Sequence, residues 1–380
     1  MSSNMIPFNK PAVIGDEIAN FKSVISNNKF SGDGEYTKLC HKWFFDNIGC
    51  KGSLLTTSCT HALEMAAILF NIKSGDEVIV PSFTFTSTAN AFVLRGAKLV
   101  FVDIRPDTMN IDEDKIEEAI TSKTKAIIPV HYAGVPCEMN KIMALAKKYN
   151  LWVVEDAAQA ILCKYEGRFA GTIGDLGAFS FHETKNIHCG EGGVLLINNI
   201  VFKESAEILR EKGTNRSKFF RGEIDKYGWI AKGSSYLPSE LNASFLFAQL
   251  QMAESIIADR IDSWNIYNRG LKKLQVSGKI TLPVIPDNCT HNGHIFYIKV
   301  KDIEERTLLI DFMKARGIHS TFHYIPLHSS PAGIKYGIFK GEDKWTTTES
   351  ERILRLPLWY GLKTESIDRV VDSIYEFYKQ

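Results

Sequence analysis

Short apolar runs recur through the first half of the chain, at 77–80, 98–102, 125–130 and 151–154, each bounded by polar or turn-forming residues. Unbroken apolarity over so few positions predicts strands covered on both faces. Between them, 112–120 and 137–149 space their apolar residues at helical intervals, which predicts amphipathic helices. Strands alternating with helices from about 53 to 199 imply an α/β domain, a mostly parallel sheet with helices on both faces. Beyond it the pattern predicts a helix over 202–212, a polar, basic loop at 213–222, and a helix from 239 to about 274, long enough to leave the sheet for another domain. The texture then changes. A strand at 294–300, a helix over 304–316 and a strand running into His323 and Tyr324 predict a smaller α+β C-terminal domain. The expected division is 1–250 for the large domain and 251–380 for the small one, with the N-terminal segment packing on the latter. No internal repeat, low-complexity tract or linker interrupts the chain.

Composition narrows the function. The 380 residues, 44% hydrophobic, can bury a large core. Lys+Arg 45 against Asp+Glu 44 leaves a net charge of +1, so no global field attracts nucleic acid or an anionic membrane, and any anion must be bound locally. Seven scattered cysteines without a C-x-x-C pair argue against a zinc site and for a reducing cytoplasm. Residues 1–5 lack a leader-like pattern, and no run reaches the roughly 18 apolar residues of a membrane span. A cytoplasmic, metal-free protein is expected.

Candidate chemistry lies where an open parallel sheet collects ligands, beyond the carboxyl ends of its strands. In Thr57-Ser58-Cys59-Thr60-His61-Ala62-Leu63 a strand runs through hydroxyl residues into a helix, whose free backbone N–H groups and Thr60 hydroxyl could take a phosphate; an ordinary helix cap reads the same way. Asp156 ends an apolar strand, where an unpaired carboxylate is costly, and Gln159 follows one turn on. Lys185 follows the strand 178–181, with Ser180 before it and Glu191-Gly192-Gly193 allowing a close backbone turn. A lysine amine and a buried carboxylate in this order are what pyridoxal 5'-phosphate requires: one group for its aldehyde, another to keep its ring nitrogen protonated.

These stretches, with Pro81-Ser82-Phe83-Thr84-Phe85, Glu155-Asp156-Ala157-Ala158-Gln159 and Ser180-Phe181-His182-Glu183-Thr184-Lys185, resemble the DegT/DnrJ/EryC1/StrS family of sugar-nucleotide aminotransferases across essentially the whole chain. Within it the likeness is to WecE-type dTDP-4-amino-4,6-dideoxygalactose transaminases, through 129–135, 210–222 and 323–328. The resemblance implies fold type I. Lys185 would bind the cofactor and shuttle the proton, and Asp156 would hold the ring nitrogen. Phe85 would lie on the ring face, Gln159 would meet the ring substituents, and Cys59, Thr60 and Ser180 would take the phosphate. Family members are homodimers with shared active sites. Where many carry Tyr-Asn-Tyr-Arg to reach the partner's cofactor phosphate, this chain has Ser234-Ser235-Tyr236-Leu237, and Ser235 can still donate.

Arg216 and Arg221, with Lys218, would reach a nucleotide diphosphate, and His323, Tyr324 and His328 would line the sugar pocket. The implied reaction moves nitrogen from L-glutamate to C4 of dTDP-4-keto-6-deoxy-D-glucose, with galacto configuration. Gluco configuration, or amination at C3 of a dTDP-3-keto sugar, shares all the cofactor motifs. The related dehydratases carry histidine in place of Lys185, and non-catalytic relatives commonly lose the lysine or the acid.

Overall fold

The computed structural model describes residues 5–379; residues 1–4, part of the stretch without a leader-like pattern, lie outside the described residues. Chain order gives β1 (Gly52–Thr56), β2 (Glu77–Pro81), β3 (Lys98–Val102), β4 (Thr124–Ile127) and β5 (Trp152–Asp156). A small hairpin follows, β6 (Lys164–Tyr165) and β7 (Arg168–Phe169), then β8 (Leu176–Ser180) and β9 (Gly193–Ile197). The C-terminal part adds β10 (Phe296–Lys299), β11 (Gly337–Phe339) and β12 (Ile353–Leu356).

Eight strands form one sheet in the order β1-β9-β8-β5-β4-β2-β3-β11, parallel from β8 through β11 and antiparallel where β9 meets β8 and β1. The apolar runs become its centre: Val78, Ile79, Val80, Val153 and Val154 are fully buried. The Cys59–Leu69 helix covers one face, and its Ala62, Ala66 and Ala67 let the backbone approach the sheet closely. Strand order matters for the site. Asp156 pairs with Ala178, Ser180 with Gly193, and Gly193 with Thr56, so the ends of β5, β8 and β1 share one edge of the sheet.

Several predicted elements are shorter than their pattern. The helix expected over 112–120 forms only at Ile116–Ala119, because Asp112 takes the Asp114 N–H at 3.0 Å and holds a turn instead. The strand expected to 130 ends at Ile127. Pro129 has no N–H to donate, and pairing resumes as a single bridge between Val130 and Asp156. The basic stretch contains a short helix, Arg216–Phe220. The strand into 323–324 is reduced to one bridge, Thr321 with Arg355, after which the chain leaves the sheet.

The helix expected from 239 is two, Glu240–Gln251 and Ala253–Val276, meeting at Met252 (φ −104°, ψ 9°). The break lets Leu250 and Ala253 enter the same core. The second helix begins in that core with Ile256 and Ile257 and ends in another with Trp264, Tyr267, Leu271 and Leu274. That second core includes β10 and β12, the Thr364–Phe377 helix and Ile6, whose N–H donates to the Gly317 carbonyl at 2.8 Å. The C-terminal part also lends β11 to the edge of the large sheet beside β3, a pairing that no pattern in the sequence announced. Among the described residues no helix is long and apolar enough to cross a membrane.

Candidate active site

A cavity of ≈ 640 Å³ opens at the sheet edge that carries the ends of β5, β8 and β1, and residues of the C-terminal part close its far side. Nine of the residues singled out in the sequence line it: Cys59, Thr60, Phe85, Asp156, Gln159, Ser180, Lys185, His323 and Tyr324. Asp156 is buried. It accepts from the Thr88 hydroxyl at 2.6 Å and from the Ala158 N–H at 3.1 Å, and Thr88 shares a 2.9 Å hydrogen bond with Thr84. Both oxygens are therefore oriented. Lys185 lies in the turn after β8, its N–H donating to the His182 carbonyl at 2.9 Å, and its amine has no ion-pair partner among the described residues. Burial pushes the amine's pKa down, against the pull of Cys59 and Asp156, and the Arg355 charge adds to the lowering. A neutral, nucleophilic amine is thereby favoured.

The start of the Cys59–Leu69 helix faces the same cavity. The Ser58 hydroxyl caps it by accepting the His61 N–H at 3.1 Å, and the first N–H groups of the helix have no partner within the helix. The Thr60 hydroxyl donates to Ser87 at 2.8 Å. Gly193 brings β9 against this turn: a Cβ there would lie 2.4 Å from the Cys59 nitrogen. Opposite the sheet, Gln159 accepts the Ala133 N–H at 2.7 Å and donates to the Tyr324 hydroxyl at 3.1 Å. Tyr324 holds a positive φ of 24° and packs its ring 6.1 Å from that of Phe85. His323 shares a 2.7 Å hydrogen bond with the Tyr132 hydroxyl, and burial keeps its pKa well below the ordinary value.

Five of the singled-out residues stand elsewhere on this chain, among them Lys218, which pairs with Glu204 at 2.5 Å. Arg216 pairs with Glu211 at 3.2 Å and lies over the rings of Phe220 and Tyr227. Arg221 binds Glu207 and Glu223 at 2.9 and 2.6 Å. Ser235 bridges Glu211 through the backbone. His328 sits behind the cavity wall, between the Ser82 hydroxyl at 2.6 Å and Asp343 at 3.2 Å. Sequence reasoning missed Thr88, His294 and Arg355. Arg355 carried a signal, a lone charge in the apolar run of β12; Thr88 and His294 carried none.

The donor set fits pyridoxal phosphate. A helix start and Ser180 can take the phosphate, Asp156 can hold a protonated ring nitrogen, and an unpaired amine stands in the same cavity. Among the described residues no group of three His, Cys, Asp or Glu side chains is placed to hold a metal, and all seven cysteines are free.

Comparison with known proteins agrees. The model of the DegT/DnrJ/EryC1/StrS aminotransferase family matches residues 11–375. An uncharacterized protein of Methanocaldococcus jannaschii is 38% identical over 90% of this chain and 89% of its own. The structure of S. venezuelae DesV superposes with a TM-score of 0.89 at 29% identity, covering 100% of both chains. Spr1654 of Streptococcus pneumoniae, solved in a PLP form, gives 0.87 at 26% identity over 99% of both. The chain thus belongs to the DegT/DnrJ/EryC1/StrS aminotransferase family and is a pyridoxal phosphate-dependent sugar aminotransferase.

Proposed function

We propose that the protein transfers the amino group of L-glutamate to C4 of dTDP-4-keto-6-deoxy-D-glucose, giving the galacto-configured dTDP-4-amino-4,6-dideoxyhexose. The carrying observation is an unpaired Lys185 amine and an oriented Asp156 carboxylate facing one cavity. Bound pyridoxal phosphate supplies an aldehyde that accepts nitrogen and a cationic ring that draws off the electrons freed at carbon. Asp156 keeps the ring nitrogen protonated, its own geometry set by Thr88 and Ala158. Lys185 would hold the cofactor's aldehyde carbon and, with its amine free, would move the proton between the donor's α-carbon and that carbon; with the sugar it would perform the reverse transfer. The Cys59–Leu69 helix start and Ser180 anchor the phosphate. Phe85 and Tyr324 cover the ring, and Gln159 reaches its substituents. His323, neutral because buried, offers a hydrogen bond without a charge to the uncharged sugar.

The dTDP group and C4 specificity are supported by likeness at 129–135, 210–222 and 323–328. A homodimer accounts for the segment following the Lys203–Arg210 helix, where Trp229 is 83% and Phe220 68% exposed beside Arg216 and Arg221. These side chains suit a partner subunit and the nucleotide diphosphate in its site. NMR identification of the product from dTDP-4-keto-6-deoxyglucose and glutamate tests the assignment: an amine at C3, or an equatorial amine at C4, overturns it. Lys185→Ala is expected to lose the visible absorbance of lysine-bound cofactor together with turnover; full turnover in that variant refutes the role of Lys185.

A further inference from the structure

Asn292, Gly293 and His294, just ahead of β10, form a buried polar knot against the turn that carries Lys185. Asn186, the next residue in that turn, is buried and directs both ends of its amide at the knot. Its Nδ2 donates to the Asn292 carbonyl at 2.8 Å, and its Oδ1 meets His294 Nδ1 at 2.8 Å. An amide oxygen only accepts, so His294 donates from Nδ1. Burial, with the charges of Lys185 and Arg260 nearby, holds the ring's pKa well below its ordinary value, so the ring is neutral and Nε2 keeps a lone pair. The ring lines the cavity, and Nε2 has no partner among the described residues. The knot is itself anchored on two sides. Asn292 Nδ2 donates to the Gln159 and Ile161 carbonyls, each at 3.0 Å, and Asn292 Oδ1 accepts the His294 N–H at 3.1 Å. Arg260 of the Ala253–Val276 helix donates to the Gly293 and His294 carbonyls at 3.1 and 2.9 Å. Gly293 (φ 59°) passes this helix so closely that a Cβ would lie 2.8 Å from the Arg260 carbonyl.

Lys185 has no comparable anchor of its own. Its amine has no ion-pair partner among the described residues, and it ends a flexible four-carbon stem, so the backbone from which it extends sets where it can reach. That backbone is irregular chain after β8 rather than strand or helix. A proton transfer between two carbons tolerates little error, since a displacement of about 1 Å costs about 100-fold in rate. We infer that His294 is a positioning residue for Lys185: donating from Nδ1 to Asn186, it fixes the turn from which the reacting amine extends. The inference rests on the reading of Lys185 as that amine. The arrangement divides the labour of the site. Asp156 is placed by the sheet and Thr88, whereas Lys185 takes its place from the C-terminal part of the chain, and Gln159 shares the same anchor through Asn292.

The test compares wild type, His294→Asn, His294→Gln and His294→Leu. Each holoenzyme is mixed with a series of L-glutamate concentrations, and the absorbance of lysine-bound cofactor gives a maximal rate and an apparent Kd. The affinity of each cofactor-stripped protein for pyridoxamine phosphate, which forms no bond with lysine, is measured alongside. An asparagine amide nitrogen falls where Nδ1 stands and a glutamine one where Nε2 stands, so the pair separates the two ring nitrogens. His294→Leu and His294→Gln are expected to lower the maximal rate about 100-fold, and His294→Asn to stay within about tenfold of wild type. Glutamate Kd and pyridoxamine phosphate affinity should remain within about threefold throughout. Rescue by glutamine rather than asparagine, equal losses in all three variants, or an unchanged rate in His294→Leu overturns the inference, as does a loss of pyridoxamine phosphate affinity without a loss of rate. If His294→Leu and His294→Gln do not fold, Asn186→Ser removes the same bond from its other end: a loss of at least about tenfold in rate at unchanged glutamate Kd sustains the inference, and a wild-type rate overturns it. Full turnover in Lys185→Ala refutes the reading of Lys185, whereas lost turnover there with wild-type rates in the His294 variants refutes the positioning role alone.

Discussion

Gly193→Ala is the sharpest single test of how the site is assembled. Gly193 opens β9, pairs with Thr56 on one side and Ser180 on the other, and lies against the turn that starts the Cys59–Leu69 helix. An added Cβ would sit 2.4 Å from the Cys59 nitrogen and the Ser58 carbonyl carbon, and 2.5 Å from the Ser58 oxygen. Ordinary contact begins at 3.4 Å, so the helix start and the strand must separate by about 1 Å. All three obstructing atoms are backbone, and none can rotate away. Such overpacking costs about 1–3 kcal/mol of stability. A shift of about 1 Å between the helix N–H groups and Ser180 is expected to lower turnover about 100-fold. The assay is a cofactor titration by absorbance, steady-state kinetics and thermal denaturation. Gly192→Ala is the control: its Cβ would meet the Cys189 sulfur at 2.4 Å, a side-chain atom that can move, so a milder effect is expected. A Gly193→Ala protein that melts, binds cofactor and turns over like wild type refutes the proposed packing between β9 and the helix.

Two further predictions concern charge. Asp156→Asn keeps the shape of the side chain but removes its charge from the cavity; turnover should fall about 100- to 1000-fold, and a variant within threefold of wild type would exclude Asp156 as the ring-nitrogen partner. His294 and His323 are held neutral by burial, their pKa values well below the ordinary histidine value of about 6.5. Below that pH the unfolded chain binds protons that the folded chain refuses, so stability should fall as pH drops from 6.5, by up to about 1.4 kcal/mol per pH unit for each group. Denaturant titrations from pH 8 to pH 5 measure this slope, and His323→Asn should flatten it; a stability that stays level or rises on acidification refutes the argument.

The central strands and the Lys185 and Asp156 signals were legible in the sequence because they depend on local order. Unbroken apolar runs make doubly covered strands, and a polar residue at the end of such a run must emerge at the ligand-binding edge. Where local chemistry competed, the pattern misled: the Asp112 side chain cut a helix short, and Pro129 interrupted a strand. Tertiary structure alone decided that β11, from near the C-terminus, completes the large sheet beside β3, and that the chain turns at Met252 to serve two cores. It alone brought Thr88 onto Asp156 and set Arg355 in the wall of Lys185's cavity, while Arg216 and Arg221 found carboxylates on their own chain. The reason is physical. Periodicity records which face of an element avoids water, whereas the partner of a buried charge depends on distances between segments far apart in the chain, which the sequence order does not encode.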